Sequence, residues 1–301
     1  MGWERLGLGL LLLAIVAVGV WISWDAAQPT LFYIQGLQRT SKTYTVLFDY
    51  SKYALPISAL LGIALGSLES HLKTRAQLRI KHGKIERHRA TGTYVEHWYH
   101  AMGFVIAAIS GLLLGTKTIL SDVIYRRYAA SPCSGFLLNL HFIGVILMTF
   151  SIAYYLADHL LSGGWEFPWP GGGLSEVVAE YRALFGGAEP PASGKWMASQ
   201  KIAHLIWALV VGVIGFSGLV KVWKYFSEVP QGLLQVCNTL HDLFAVLGII
   251  MLAVHMFFSF LPATFPLLKS LFTGYVPEDY AKRYLPEWLE GIKKLEEVER
   301  E

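Results

Sequence analysis

Two cysteines, Cys133 and Cys237, are all the thiols that the 301 residues carry. That excludes a four-cysteine iron–sulfur or zinc site within the chain. No Cys-x-x-Cys-His run occurs, so covalent attachment of a c-type haem is excluded as well. Charge is equally scarce: charged residues make up 16% of the chain, where soluble domains carry about 25%. A net charge of +3 gives no reason to expect nucleic acid as a partner. There is no glycine-rich dinucleotide loop beside a strand, no P-loop and no nucleophile elbow. Catalysis is therefore expected only in company with other chains.

What the chain has in excess is apolar length. Hydrophobic residues make up 54% and the mean hydropathy is +0.43. Six apolar segments, at 6–23, 53–69, 98–116, 135–158, 201–220 and 239–261, each approach the roughly 20 residues of a membrane-spanning helix. The first could be a signal peptide ending near Asp25-Ala26-Ala27, but its length and poor cleavage site favour a retained helix. The expected fold is thus an all-α integral membrane protein with about six transmembrane helices. Four of these, from 97 to 261, are expected to form a haem-binding four-helix bundle. Residues 1–70 form an N-terminal helix pair, 71–96 a basic connector and 262–301 a C-terminal tail.

The connector holds Lys73, Arg75, Arg79, Lys81, Lys84, Arg87 and Arg89, which the positive-inside rule places in the cytoplasm. Both termini then lie inside, together with the 159–200 loop, while 24–52, 117–134 and 221–238 lie outside. His71, His82 and His88 are expected to be solvated. Pro168, Pro170, Gly171, Gly172 and Gly173 break the 161–199 loop, and Leu174 to Phe185 suits a short interfacial helix. No internal repeat stands out.

Four histidines fall at matching depths. His241 and His255 lie fourteen residues apart on one apolar stretch, which at about 100° per residue returns both to nearly the same helix face. The rise between them is about 21 Å, so the pair spans most of a bilayer core of about 30 Å. Histidines inside a membrane usually face the bundle interior and mark function. His141 shares the outer level with His241, and His97 the inner level with His255. Two stacked metal centres, most simply two b-type haems, follow from that arrangement. His100 is an alternative to His97. His204 and His159 near the inner side could contact a haem propionate, assist proton uptake, or be plain polar residues at the interface.

Between residues 78 and 294 the chain resembles the gamma subunit of membrane-bound formate dehydrogenase, a di-haem cytochrome b. The resemblance runs through Leu78-Arg79-Ile80-Lys81-His82-Gly83 with Ile85-Glu86-Arg87, then Glu96-His97-Trp98 and Ser110-Gly111-Leu112. It continues in His141-Phe142-Ile143-Gly144, Gln200-Lys201 with Ser217-Gly218, the His241/His255 spacing, Gly274-Tyr275-Val276, Ala281-Lys282 and Pro286-Glu287-Trp288. It implies that His97, His141, His241 and His255 are the axial, metal-binding ligands of two haems b. It also implies an iron–sulfur subunit, a separate catalytic subunit of molybdenum, tungsten or hydrogenase type, and menaquinone or ubiquinone as electron partner. The implied location is the prokaryotic inner membrane.

That family's quinone-binding run, Asn-Ala-Gly-Gln-Lys, aligns with Met197-Ala198-Ser199-Gln200-Lys201. Met197 and Ser199 replace its asparagine and glycine, so quinone contacts would fall to Ser199, Gln200 and nearby His204. In the tail, Tyr284 and Leu285 stand where the family has paired histidines. The competing class is a haem-free transporter or membrane anchor using the same histidines, although inverted repeats and broken helices are not evident. Cys133 and Cys237, each ahead of a histidine-bearing segment, could be bridged or unpaired.

Overall fold

Apolar segments that cannot bond to water satisfy their backbone internally as helices, and the computed structural model shows this throughout its spans. It describes residues 3–34, 51–73, 80–81, 83–87, 92–115, 132–161, 173–224 and 226–298. Six helices are long and apolar enough to cross a membrane, with spans Arg5–Ser23, Lys52–Leu72, Gly92–Gly115, Phe136–Leu161, Ala198–Trp223 and Gln231–Ser259. These match the six segments read from hydropathy. The chain divides into two compact units, Met1–Ala76 with Arg89–Trp165, and Gln77–His88 with Glu166–Glu301.

The first unit contains α1 (Trp3–Ile34), α2 (Ser51–Lys73), α3 (Gly92–Gly115) and α4 (Pro132–Leu161). The first three all pack on α4. α1 runs without a break through Asp25-Ala26-Ala27 and places Leu12 in a core with Val95, Tyr99, Ile143, Leu147 and Tyr154. Close approach depends on glycine. Any Cβ at Gly62 or Gly66 of α2 would collide with the α4 backbone at Phe150 and Tyr154, a small-residue contact of the kind that drives helix association in lipid.

The second unit contains strands β1 (Ile80–Lys81) and β2 (Lys84–Glu86), then α5 (Gly173–Leu184), α6 (Ala198–Trp223) and α7 (Gln231–Ser259). These are followed by α8 (Phe265–Thr273), β3 (Tyr275–Pro277), α9 (Glu278–Tyr284) and α10 (Pro286–Val298). α5 falls where the interfacial helix is expected. The all-α membrane architecture carries in addition a small antiparallel sheet, in the order β1-β2-β3. Its register pairs Ile85 with Val276. Both are fully buried, in a core with Leu267, Tyr280, Leu285, Leu289 and Ile292. Gly274, at φ 86°, ends α8 in the left-handed conformation that glycine adopts without strain. Its carbonyl then accepts the Arg87 N–H at 2.9 Å.

The basic stretch 71–96 is therefore more than a connector. Ile85 and Arg87, within the run that the sequence marks only as a topology anchor, are buried. His71 is exposed, as expected. Arg75, Arg79, His82, His88 and Arg89 lie outside the described residues, as do Pro168, Pro170, Gly171 and Gly172 and most of the loops 24–52 and 117–134. Cys237 is a buried free thiol, and the side chain of Cys133 is outside the described set.

Candidate functional site

In the first unit α3 begins with a π-helical turn, Val95–Tyr99, that carries His97. Such turns are rare and concentrate at functional positions. The His97 ring meets Trp98 edge-on, with centroids 5.0 Å apart. His100 points to α4 instead. Its Nδ1 lies 3.2 Å from Ser151 Oγ, whose hydroxyl donates to Met148 O at 3.0 Å.

On α4, His141 Nδ1 lies 2.9 Å from Ala107 O and 3.2 Å from Ser110 Oγ, both on α3. A carbonyl can only accept, so Nδ1 carries a proton, and in the neutral tautomer of that kind the lone pair is on Nε2. The helices approach closely here because Gly103 and Gly144 face each other. A Cβ on Gly144 would stand 2.6 Å from Gly103 O and 2.7 Å from the Ala107 nitrogen. A Cβ on Gly111 would stand 3.2 Å from His141 Cε1.

The second unit repeats this construction with different residues. His241 Nδ1 lies 3.1 Å from Ile214 O and 3.2 Å from Ser217 Oγ, and a Cβ on Gly218 would stand 3.2 Å from His241 Cε1. The sequence reading found no repeat, and the structure shows a local one. Ser110 precedes His141 by 31 residues and Ser217 precedes His241 by 24, so the unequal spacing hides the period. α7 is one unbroken helix through His241 and His255, which preserves their common face. His255 is exposed on α7 and His204 on α6. Because Ile214 meets His241 on antiparallel helices, His204 and His255 lie toward the same end of the α6–α7 hairpin.

The start of α6 is tied down from within the unit. Glu180 of α5 accepts the Ala198 N–H at 2.6 Å and the Ser199 N–H at 2.8 Å, a carboxylate at a helix N-terminus where anions are favoured. Gln200 Oε1 accepts the Met197 N–H at 3.1 Å and Arg87 Nη2 at 3.4 Å. Arg87 Nη2 also donates to Lys195 O at 3.0 Å, and its guanidinium lies 4.9 Å from the Trp196 ring centroid. Burial lowers the Arg87 pKa to about 10.

Spacing along the chain does not join Glu96 to Asp158 and His159, but the fold of the first unit does. Glu96, Asp158 and His159 bring their ligand atoms within 4.8 Å of one another, with His159 Nδ1 3.6 Å from Glu96 Oε1. Two carboxylates inside otherwise apolar spans, each next to a histidine, are the signal that marks this group in the sequence.

Taken one unit at a time, the structure offers His97 and His141 on α3 and α4, and His241 and His255 on α7. The donor chemistry fits axial ligation of a b-type haem. His141 and His241 each hold a proton on Nδ1, the tautomer in which a neutral imidazole ligates through Nε2, and Gly111 and Gly218 admit the rings where any larger residue would crowd them. A family profile described as prokaryotic cytochrome b561 matches residues 88–274. No curated protein and no solved structure matches the chain.

Proposed function

The chain belongs to the prokaryotic cytochrome b561 family, and on that premise we propose that this multi-pass membrane electron-transfer protein is the cytochrome b subunit of a respiratory oxidoreductase complex. The formate dehydrogenase-like type is the one its sequence resembles. It anchors the complex and relays electrons between an iron–sulfur subunit and the membrane quinone pool. His141 with His241, and His97 with His255, would hold two haems b. When bound, each haem supplies one-electron carriage.

The observation that carries the reading is the identical treatment of His141 and His241. In each case a backbone carbonyl of the preceding long helix takes the Nδ1 proton and directs the lone pair to Nε2. Metal-bound histidines are oriented in this way by a hydrogen bond on the other ring nitrogen. Each ring also packs over a glycine, Gly111 under His141 and Gly218 under His241. The inner pair rests on the continuous α7 helix and on sequence depth.

Quinone contact is assigned to the inner end of the hairpin. The headgroup has two carbonyl oxygens and requires donors, which His204 and the Ser199 hydroxyl supply. Gln200 orients this turn through its bonds to Met197 and Arg87. The basic stretch 71–96 supports placing that end, and both termini, on the cytoplasmic side. A catalytic subunit of molybdenum, tungsten or hydrogenase type would deliver or accept the electrons through the iron–sulfur chain.

A dithionite-reduced minus oxidised spectrum with a pyridine haemochrome count tests this reading. Two b haems per chain are expected, falling to about one in His141→Ala or His97→Ala. A well-folded preparation containing no haem overturns it.

A further inference from the structure

Ser110 and Ser217 stand behind His141 and His241 in the same way, each within its own unit. The Ser110 hydroxyl donates to Ile106 O at 2.6 Å, with Ala107 O at 3.2 Å. The Ser217 hydroxyl donates to Val213 O at 2.6 Å, with Ile214 O at 3.1 Å. A serine has one proton to give. With that proton directed to the carbonyl four residues back, each oxygen presents a lone pair to the imidazole N–H 3.2 Å away. Each ring N–H is thus shared between one carbonyl and one serine. Both serines are fully buried, so water does not compete for the contact.

We propose that Ser110 and Ser217 are matched positioning residues, each fixing the ring orientation and raising the basicity of the histidine it faces in its own unit. The proposal rests on the reading of His141 and His241 as ligands of the same haem. An acceptor on the N–H side makes the ligating nitrogen a stronger donor, and a stronger donor favours the ferric over the ferrous state. The carbonyl alone would fix the tautomer. The serine adds a second acceptor and, through its own bond to the helix backbone, a rigid one. In the competing account each serine merely returns its hydroxyl to its own helix, as buried helical serines commonly do. That account predicts no effect on the metal centre.

Redox titration of the purified full-length chain, followed at the haem α-band, separates the two accounts. The variants are S110A, S217A, S110T and S217T. Alanine is the best helix former, and Ala107 O and Ile214 O still receive the ring protons, so the alanine variants should fold and keep both haems. In S110A and in S217A the same one of two redox waves should move to higher potential, by about threefold in the oxidised-to-reduced ratio. At about 59 mV per tenfold change for one electron this is roughly 30 mV. The threonine variants should restore the wild-type potential, and the ferric electron paramagnetic resonance signal of the same haem should follow the alanine shift.

If two haems are present and neither wave moves, the serines are structural and the inference fails while the di-haem reading stands. If S110A and S217A move different waves, the shared-haem reading on which the proposal rests is overturned, and the inference with it. Loss of both haems from the alanine variants would also overturn it, because it would show a folding role. A wild-type chain without haem removes the reading on which the proposal rests.

Discussion

Arg87 shows how far a residue's role depends on its surroundings. By sequence it is one of seven basic residues in a run that sets topology. In the structure it is 2% exposed, bonded to Lys195 O and Gln200 Oε1 and packed on the Trp196 ring. A lysine cannot reproduce that planar, multi-donor contact. Arg87→Lys and Arg87→Ala are expected to destabilise the second unit, Arg87→Ala by roughly 1.5–3 kcal/mol for hydrogen bonds to a charged group. Burial lowers its pKa to about 10. For a base whose folded pKa lies below its unfolded one, the penalty of burying the charge is present in full below the folded value. It is relieved only as the pH rises above it. The difference in melting temperature between wild type and Arg87→Ala should therefore be flat from about pH 6 to 9, and a strong slope across that range would contradict this account.

At the scale of elements, two of the glycine contacts that hold α4 have different consequences. Gly66 admits α2 against the Tyr154 backbone, while Gly144 admits α3 and so brings Ala107 and Ser110 to His141. Gly66→Leu overpacks the first contact, at a cost of roughly 1–3 kcal/mol. It should lower the melting temperature without changing haem content, since α2 carries none of the four candidate ligands. Gly144→Ala forces α3 away from the histidine. It should reduce haem to about one per chain even where the protein still folds. Equal haem content in the two variants would show that the α3–α4 approach does not govern the His141 site.

Across the whole molecule, the second unit joins segments that are far apart in the chain. Strand β2 at 84–86 pairs with β3 at 275–277, closing a core beyond the two long helices of that unit. Val276 is fully buried there against Ile85. Val276→Asp places an unpaired charge in that core, which is strongly unfavourable. The expected result is rapid proteolysis of the tail from 278 onward. The haem count should stay at two, because β3 and the tail contain none of the proposed ligands. Loss of haem together with tail release would mean that this core also supports the metal sites.

The sequence by itself determined the six spans, because a bilayer admits only long apolar helices. It also determined the common face of His241 and His255, because both lie on one unbroken helix of fixed pitch. It picked out Ser110-Gly111 and Ser217-Gly218 only as parts of a resemblance. Tertiary structure decided what these dipeptides do, since their partners His141 and His241 lie on the next long helix at unequal distances along the chain. It decided likewise the burial of Arg87, the capping of α6 by Glu180, and the β2–β3 pairing. Each of these is a contact between segments distant in the chain, and no local periodicity encodes which distant carbonyl, ring or strand a side chain will meet.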